Sequence, residues 1–414
     1  MVALQPYHFY IAATLGALAV SLFSIPNIIF VTKKKRLFDV PDNHRKLHKR
    51  IVPNLGGVGI FFAFIITTSL FIKPAQLGQS ATFLYQWNYI AAASLILFIT
   101  GLKDDLVSIS ATKKFIAQFA AALITASFAD VRLQSLHGLM GIYDLPVSIS
   151  IAFSVVGCMF VTNAFNLIDG IDGLAGTIGV FISAVFGVGL AFEGRVSEAI
   201  LAFSMMGAIL GFLRFNISPA RIFMGDTGSL LIGFMVSVIG ILFINGHQTS
   251  SHLARFIPTD SGALVIALAI LFVPVCDTFR VFGTRIAKGR SPFSADRTHL
   301  HHYLLDTGLT HTQTVAVILG GNIFIVAIAF FVQRYNINLA MACLLAVMLA
   351  FYAVIGFIKA KKKGLNRSRL SRFTFSYRRR SSNPEPELDG AVTHFTVEGK
   401  HILVGDEELA SSEN

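Results

Sequence analysis

Two adjacent carboxylates suit a shared cation. Asp104 and Asp105 follow an apolar run, and Lys114 lies at the start of the next one. Adjacent carboxylates repel each other, so they become useful when a cation or a proton is shared between them. Carboxylates at helix ends are also ordinary in membrane proteins, so a charge pair without function is an equally good explanation for this segment alone.

A second segment combines an amide with two further carboxylates. Asn166, Asp169 and Asp172 lie in Asn-Leu-Ile-Asp-Gly-Ile-Asp-Gly at the end of another apolar run. If the helix continues, Asn166 and Asp169 share one face, and the glycines let the backbone approach a ligand closely. The spacing does not match a calcium-binding EF-hand loop. So dense a polar group beside an apolar run favours a functional role.

A third segment, Phe-Met-Gly-Asp-Thr-Gly-Ser, begins at Phe223 and opens another apolar run, with Asn216 upstream. Asp226 has the sequence position of an N-cap, so helix capping is one explanation for it. A helix N-terminus with small residues would also suit a phosphate, and Asp226 could hold Mg²⁺ there. Both explanations are open at the level of sequence.

Histidines and basic residues form two further segments. His299, His301 and His302 follow a stretch that contains Arg297. Clustered histidines can bind zinc, but this stretch has neither a cysteine nor a well-spaced third ligand. The surrounding cations favour a group that binds pyrophosphate and sugar oxygens. Lys49 belongs to an earlier basic run, which is mostly a signal of membrane orientation.

Apolar runs about as long as a bilayer-spanning helix separate these segments. The sequence is 54% hydrophobic and only 14% charged, which is far more apolar than an average soluble domain. We therefore predict an all-α polytopic integral membrane protein with about eleven transmembrane helices. The predicted spans cover residues 8–31, 55–73, 89–103, 115–130, 148–165, 174–192, 198–213, 227–245, 261–282, 314–332 and 338–358.

The basic residues predict the orientation of these spans. Lysines and arginines crowd the stretch 33–50 after the first span, whereas the loop after the second holds none beyond Lys73. The N-terminus is therefore predicted outside and the C-terminus inside, and all five polar segments then fall on the cytoplasmic side. Because the basic residues cluster between spans, the net charge of +11 indicates anionic lipid and not nucleic acid. The three cysteines lie in separate apolar runs and predict neither a disulfide nor a zinc site.

The chain is predicted to comprise a transmembrane domain, residues 1–360, and a basic cytoplasmic tail, residues 361–414. Alternating residues 393–404 allow a small β-hairpin in that tail, although a solvated tail is the plainer explanation. Between the fourth and fifth spans, 131–147 is too polar to cross a membrane and predicts a short loop or hairpin.

Acids for a divalent ion, bases for phosphates and a position at the headgroup level together describe phosphoryl transfer from a soluble donor to a lipid acceptor. An ion-coupled transporter would also combine many spans with acids. Its acids should lie near mid-span, however, and broken helices should occur in paired halves. The acids here lie at the ends of the predicted spans, so transport is disfavoured.

In its first 360 residues or so, the chain resembles the polyprenyl-phosphate N-acetylhexosamine-1-phosphate transferase family. The resemblance rests on Lys-Asp-Asp ending at Asp105, on the segments 163–173 and 223–229, and on His-Leu-His-His beginning at His299. The preceding Ser-Pro-Phe-Ser-Ala-Asp-Arg is similar to the branch that uses UDP-N-acetylglucosamine. The muramyl-pentapeptide branch usually carries three consecutive histidines, and here Tyr303 takes the third place.

The resemblance implies that N-acetylglucosamine-1-phosphate passes from UDP-N-acetylglucosamine to undecaprenyl phosphate, with release of UMP, to start cell-envelope polysaccharide synthesis. The phospho-N-acetylmuramoyl-pentapeptide transferase of peptidoglycan synthesis is the alternative. A bacterial inner (plasma) membrane location follows, with the active site facing the cytoplasm, and a homodimer is allowed.

The resemblance also implies roles for single residues. Mg²⁺, for which Mn²⁺ can substitute, would be held on the pyrophosphate by Asn166 and Asp226. Asp104 or Asp105 would activate or orient the lipid phosphate. Asp169, a further catalytic residue, would help to position the nucleotide sugar. The remaining substrate contacts would come from Lys49, Lys114, Asp172, Asn216, Phe223, Arg297, His299, His301 and His302.

Overall fold

The structure is a computed structural model, and it divides the chain into two compact units, residues 1–359 and 360–414. It describes residues 5–35, 52–72, 81–291, 299–377, 393–397 and 400–404. Thirteen α-helices occur in this part of the chain. They are α1 (Pro6–Lys35), α2 (Gly56–Phe71), α3 (Ala81–Val107), α4 (Ala111–Ser127), α5 (Val147–Ile168), α6 (Leu174–Phe192), α7 (Val196–Asn216), α8 (Gly225–Gly246), α9 (Asp260–Ile270), α10 (Phe272–Ile286), α11 (Leu300–Asp306), α12 (His311–Val332) and α13 (Ile337–Tyr377).

The helices confirm an all-α protein that crosses a membrane several times. Every predicted span coincides with a helix or, for 261–282, with a pair of helices. Within the described ranges, seven helices are long and apolar enough to cross a membrane, or eight if the bent pair α9 and α10 is one span. The apolar helix α2, of 16 residues, is shorter than these. Eleven spans and the orientation of the termini therefore stay predictions.

The predicted span 261–282 is broken at Leu271, where α9 and α10 meet at 70°. Pro274 lies in the first turn of α10 and has no N–H to donate to the carbonyl of Ile270, and its ring clashes with a continuous helix there. Asn322 on α12 donates to that carbonyl from Nδ2 at 3.2 Å. A neighbouring helix thus satisfies the backbone group that the proline leaves unpaired, as apolar surroundings require.

α8 is the central helix of the first unit, because nearly all of its residues are buried. α2, α3, α5 and α6 pack around it. Glycines allow the closest approaches: a Cβ at Gly57 would lie 2.1 Å from the backbone nitrogen of Gly228, and one at Gly101 would lie 2.6 Å from the backbone of Thr227. Small residues let the ends of α2 and α3 meet the start of α8 backbone to backbone.

Two antiparallel hairpins complete the described structure. β1 (Ser135–Leu139) and β2 (Ile142–Asp144) confirm the hairpin predicted between the fourth and fifth spans. In the second unit, β3 (Thr393–Val397) pairs with β4 (Lys400–Val404).

Candidate active site

A carboxylate from α3 holds the N-terminus of α8. Asp105 Oδ1 accepts a hydrogen bond from the backbone N–H of Asp226 at 2.8 Å. Its Oδ2 accepts from the backbone N–H of Thr227 at 2.9 Å and from the Thr227 hydroxyl at 2.5 Å. The unpaired N–H groups and the dipole of a helix favour a carboxylate at this position. Both oxygens of Asp105 are thus engaged within the protein, and they position α8.

Lys114 joins two of the predicted acids. Its Nζ lies 2.6 Å from Asp104 Oδ2 and 2.7 Å from Asp226 Oδ2. The other oxygen of Asp104 accepts from the backbone N–H of Ile109 at 2.8 Å, in the turn that follows α3. One ammonium group therefore links α3, α4 and α8 at the same end of the bundle through charge-assisted hydrogen bonds.

Asp226 directs its carboxylate towards neighbouring helices. It lies in the first turn of α8, not at its N-cap. Its Oδ1 accepts from Asn166 Nδ2 at 3.0 Å, and the same amide group donates to Ser229 Oγ at 2.7 Å. The capping explanation for Asp226 is therefore wrong, because Asp105 supplies the acceptors for the start of α8. The arrangement leaves Asn166 Oδ1 without a partner among the described residues and so available to a ligand.

α5 ends before Asp169, so the helix does not continue far enough for Asn166 and Asp169 to share one of its faces. The last helical residue is Ile168, and Asp169 takes the C-cap position with φ −77° and ψ 51°. The chain then turns through Gly173, whose φ of +79° lies in the left-handed region that glycine adopts readily. This turn brings the carboxylate of Asp169 to the acids of α3 and α8.

Asp169 lies among other carboxylates, whose negative charge exceeds the positive charge nearby. In the described part of the chain, no residue donates a hydrogen bond to its carboxylate. Burial, together with the nearby carboxylates of Asp226, Asp105 and Asp172, raises the pKa of Asp169 to about 7. Lys114 alone does not balance these charges. The site therefore favours a further cation or a proton.

Asn216 and Asp172 tie together the loops that follow α5 and α7. Asn216 is 3% exposed; its Oδ1 accepts from the N–H of Gly173 at 2.9 Å, and its Nδ2 donates to a backbone carbonyl at 2.9 Å. Asp172 accepts from the N–H of Ala220 at 3.1 Å and lies 3.6 Å from His311 Nδ1. Both side chains position backbone, and their contacts with the nucleotide sugar stay predictions.

Phe223 lies in the segment that leads into α8. Its backbone N–H donates to the carbonyl of Pro53 at 2.8 Å, and its carbonyl accepts from the N–H of Gly56 at 3.0 Å. These bonds fix the backbone of Phe223 beside the start of α2, and the residue is half-buried. A contact between its ring and uracil stays a prediction.

Asp277 on α10 is the residue that sequence reasoning missed. Its Oδ2 lies 3.0 Å from His299 Nδ1, and its two oxygens accept from the N–H of Leu300 at 3.0 and 3.2 Å. Arg280 lies 2.7 Å from its Oδ1. Asp277 thereby caps α11 and orients the His299 ring. Its only sequence signal is an acid three residues before an arginine within an apolar run.

His301 connects the histidine segment with the turn after α5. Its ring is buried against Gly170, where a Cβ would lie 2.2 Å from His301 Nε2. Burial, together with His302 and His299, lowers the pKa of His301 to about 3, so the ring is neutral at pH 7. Its Nε2 is buried and has no hydrogen-bond partner in the described ranges.

Two predicted substrate contacts, Lys49 and Arg297, lie outside the described residues. Four of the five polar segments therefore meet at one end of the bundle, whereas the position of the basic segment around Lys49 is not described. The contact of each converging residue with substrate stays a prediction.

The acids fit a divalent cation that shares its coordination with substrate. Among the described residues, no group of three or more His, Cys, Asp or Glu side chains is placed so that it could hold a metal ion by itself. Asp226 and Asn166 nevertheless supply oxygen atoms, which Mg²⁺ prefers. Mg²⁺ is usually held by one or two carboxylates together with substrate phosphates. The surplus charge around Asp169 and the oxygens of Asp226 and Asn166 meet that requirement.

The apolar helices are those of a membrane protein. At one end of the bundle they bring together acids, an amide and a lysine, which form a site suited to phosphate groups. The family model described as glycosyl transferase family 4 matches residues 87–244, which contain all the acids of the first three segments. The chain belongs to this family, because relatives that are 30–31% identical also match it, and the matches cover 91% and 96% of their own lengths. The resemblance noted in the sequence is thereby confirmed.

Relatives with assigned activities match most of the chain. The undecaprenyl-phosphate alpha-N-acetylglucosaminyl 1-phosphate transferase of Escherichia coli K12 is 31% identical over 82% of this chain and 91% of its own length. A probable undecaprenyl-phosphate N-acetylglucosaminyl 1-phosphate transferase of Bacillus subtilis is 30% identical over 89% and 96%. The decaprenyl-phosphate N-acetylglucosaminephosphotransferase of Mycobacterium tuberculosis is 31% identical over 66% and 70%.

Proposed function

We propose that the protein transfers N-acetylglucosamine-1-phosphate from UDP-N-acetylglucosamine to undecaprenyl phosphate or a similar polyprenyl phosphate. UMP is released, and a lipid-linked sugar diphosphate forms that starts a cell-envelope polysaccharide. The names of the relatives in Escherichia coli and Bacillus subtilis support both the donor and the acceptor.

One observation in the structure supports this function above the others. Lys114 bridges Asp104 and Asp226, and Asp226 also accepts from Asn166, so residues from three separated sequence segments form one hydrogen-bonded group. The histidine segment adjoins it through His301. A group of this kind presents negative oxygens to a cation and positive nitrogen to phosphates, as phosphoryl transfer requires.

In the proposed reaction, an oxygen of the lipid phosphate forms a bond to the phosphorus next to the sugar. The bond from that phosphorus to the oxygen shared with the uridine phosphate breaks, and UMP leaves. Asp169 is the residue best suited to take a proton from the lipid phosphate, because burial raises the pKa of its carboxyl group and no residue in the described part of the chain donates a hydrogen bond to it. Lys114 neutralises phosphate oxygens, and Asp105 fixes the start of α8.

Asp226, with Oδ1 of Asn166, would hold Mg²⁺ on the pyrophosphate, and Mn²⁺ can replace it there. When bound, the ion offsets donor charge and stabilises the charge that develops during transfer. His299, held by Asp277, and neutral His301 would donate to the sugar phosphate. The basic residues of the stretch 33–50 support a cytoplasmic location of this site in the bacterial inner membrane.

A donor panel tests the proposal. Purified full-length protein receives Mg²⁺, undecaprenyl phosphate and either UDP-N-acetylglucosamine or UDP-N-acetylmuramyl-pentapeptide, and UMP and the lipid product are measured. We expect both products with the first donor alone. Product with the second donor alone would select the peptidoglycan enzyme instead. Exchange of labelled UMP into the donor without lipid would contradict direct attack and indicate a covalent intermediate.

A matched pair of variants ties the activity to the site. Asp169→Asn should abolish UMP release, whereas Asp144→Asn, on β2 at the other end of the bundle, should not alter it. If Asp169→Asn turned over at the wild-type rate, Asp169 would not be the residue that takes the proton.

A further inference from the structure

An apolar groove lies at the end of the bundle opposite the candidate active site. Its volume is about 380 Å³, and its lining includes Val188, Phe243, Ile266 and Phe330. These residues belong to α6, α8, α9 and α12. Because α8 starts at the candidate site and Phe243 lies in its last turn, the groove is at the far end of that helix.

Basic side chains lie where the groove opens. The adjoining pocket, of about 430 Å³, is lined in part by His252 and Arg255 and shares Phe192 and Phe256 with the groove. The rings of Phe192 and Phe256 are 6.1 Å apart, edge to face. No carboxylate in the described part of the chain lies within ion-pair distance of the exposed Arg255. Its guanidinium group is therefore available to an anion.

The groove runs along α6 for most of the hydrocarbon thickness of one bilayer leaflet. Ala184 and Phe192 line it on α6 and are eight residues apart, which corresponds to about 12 Å at about 1.5 Å per residue. Half of the hydrocarbon core of a bilayer is about 15 Å thick. We propose that the groove binds an acyl chain of an anionic phospholipid in the leaflet farther from the active site, with the lipid phosphate on Arg255 and His252.

The geometry favours a phospholipid over the polyprenyl phosphate substrate. α8 contains 22 residues and spans about 33 Å between the two ends of the bundle. A polyprenyl phosphate with its phosphate at Lys114 cannot present the same phosphate to Arg255. Phospholipids, in contrast, place a phosphate at the headgroup level directly above their acyl chains. The charge of Arg255 then selects anionic over zwitterionic headgroups.

Native mass spectrometry of the full chain, titrated with phosphatidylglycerol or with phosphatidylethanolamine of the same acyl chains, tests this site. The wild-type protein is expected to retain phosphatidylglycerol preferentially. Arg255→Gln should reduce that preference about fivefold, the change expected for one basic side chain at a headgroup. Arg334→Gln is the matched control, because Arg334 is exposed after α12 at the same end and does not line either pocket.

A second variant tests the groove itself. Val188 is 48% exposed, so Val188→Trp can fill the groove without entering the core, and it should weaken retention of both lipids. Equal losses in Arg255→Gln and Arg334→Gln would overturn the headgroup site, and unchanged retention in Val188→Trp would overturn the acyl site. Displacement of phosphatidylglycerol by undecaprenyl phosphate from the wild type but not from Arg255→Gln would assign the groove to the polyprenyl lipid. The assay needs no turnover, so it is independent of the proposed reaction.

Discussion

The substitution Asp105→Asn should lower the stability of the protein, because Asp105 positions the start of α8. This effect would distinguish Asp105 from the adjacent Asp104, which binds Lys114. The carboxylate accepts three hydrogen bonds from the first turn of α8, at 2.8, 2.9 and 2.5 Å. The two backbone N–H groups bind different oxygens of Asp105, and an amide replaces one of these oxygens with an NH₂ group, so in this geometry it cannot accept from both the Asp226 and the Thr227 backbone. At least one buried N–H loses its acceptor.

The cost of this change follows from two contributions. An unsatisfied buried donor costs about 1–3 kcal/mol. Loss of the charge at a helix N-terminus costs about 0.3–1 kcal/mol. Burial raises the pKa of Asp105 to about 6, and Asp226 adds to this rise, so removal of the charge offsets part of this sum. We therefore expect a net loss of about 1 kcal/mol, in the range of a lost helix cap.

Thermal unfolding in detergent can be followed by the fluorescence of Trp87, the single tryptophan. It is buried on α3, the helix that carries Asp105, and its ring lies 5.9 Å from that of Phe64. Asp105→Asn should lower the melting temperature by several degrees, whereas Asp144→Asn should not change it. An unchanged melting temperature together with lost turnover would refute the positioning role and place Asp105 on the substrate.

Three further variants test other parts of the site. Asp277→Asn removes a charged hydrogen bond from His299, so KM for the nucleotide sugar should rise about tenfold to hundredfold while KM for the lipid stays constant; equal changes in both would contradict this. Asp226→Asn should weaken the dependence of the rate on Mg²⁺ and nearly abolish turnover. If the variant depended on Mg²⁺ as the wild type does, Asp226 would not be a metal ligand. Asp169 has a folded-state pKa raised to about 7, so its ionisation costs stability increasingly as pH rises from about 4 to above 7. Asp169→Asn should therefore raise the melting temperature at pH 8 more than at pH 5, and the same difference at both values would contradict the shift.

The helices were predictable because apolar runs are local in sequence. Each predicted span coincides with helical structure, and the polar hairpin before α5 was recognised from its composition. The bend between α9 and α10 was missed, although Pro274 marks it, because hydrophobicity alone gives one continuous run at 261–282. The sequence left open whether α5 continues to Asp169; it ends at Ile168, and the chain then turns through Gly173.

The acids of the site were predictable as candidates but not as partners. Their residue types and positions at the ends of apolar runs identified Asp104, Asp105 and Asp226. That Asp105 caps α8 while Asp226 faces Lys114 depends on how α3 and α8 pack, which no local pattern contains. Asp277 was missed for the same reason, because its partner His299 lies 22 residues later and reaches it only through the fold.

The proposed reaction at this site transfers a sugar phosphate and not a sugar. UDP-N-acetylglucosamine carrying ³²P in the phosphate next to the sugar distinguishes the two reactions when wild-type protein, Mg²⁺ and undecaprenyl phosphate are present. We expect the label to enter the lipid and unlabelled UMP to be released. Label recovered in UDP, with an unlabelled sugar on the lipid, would contradict the proposed reaction.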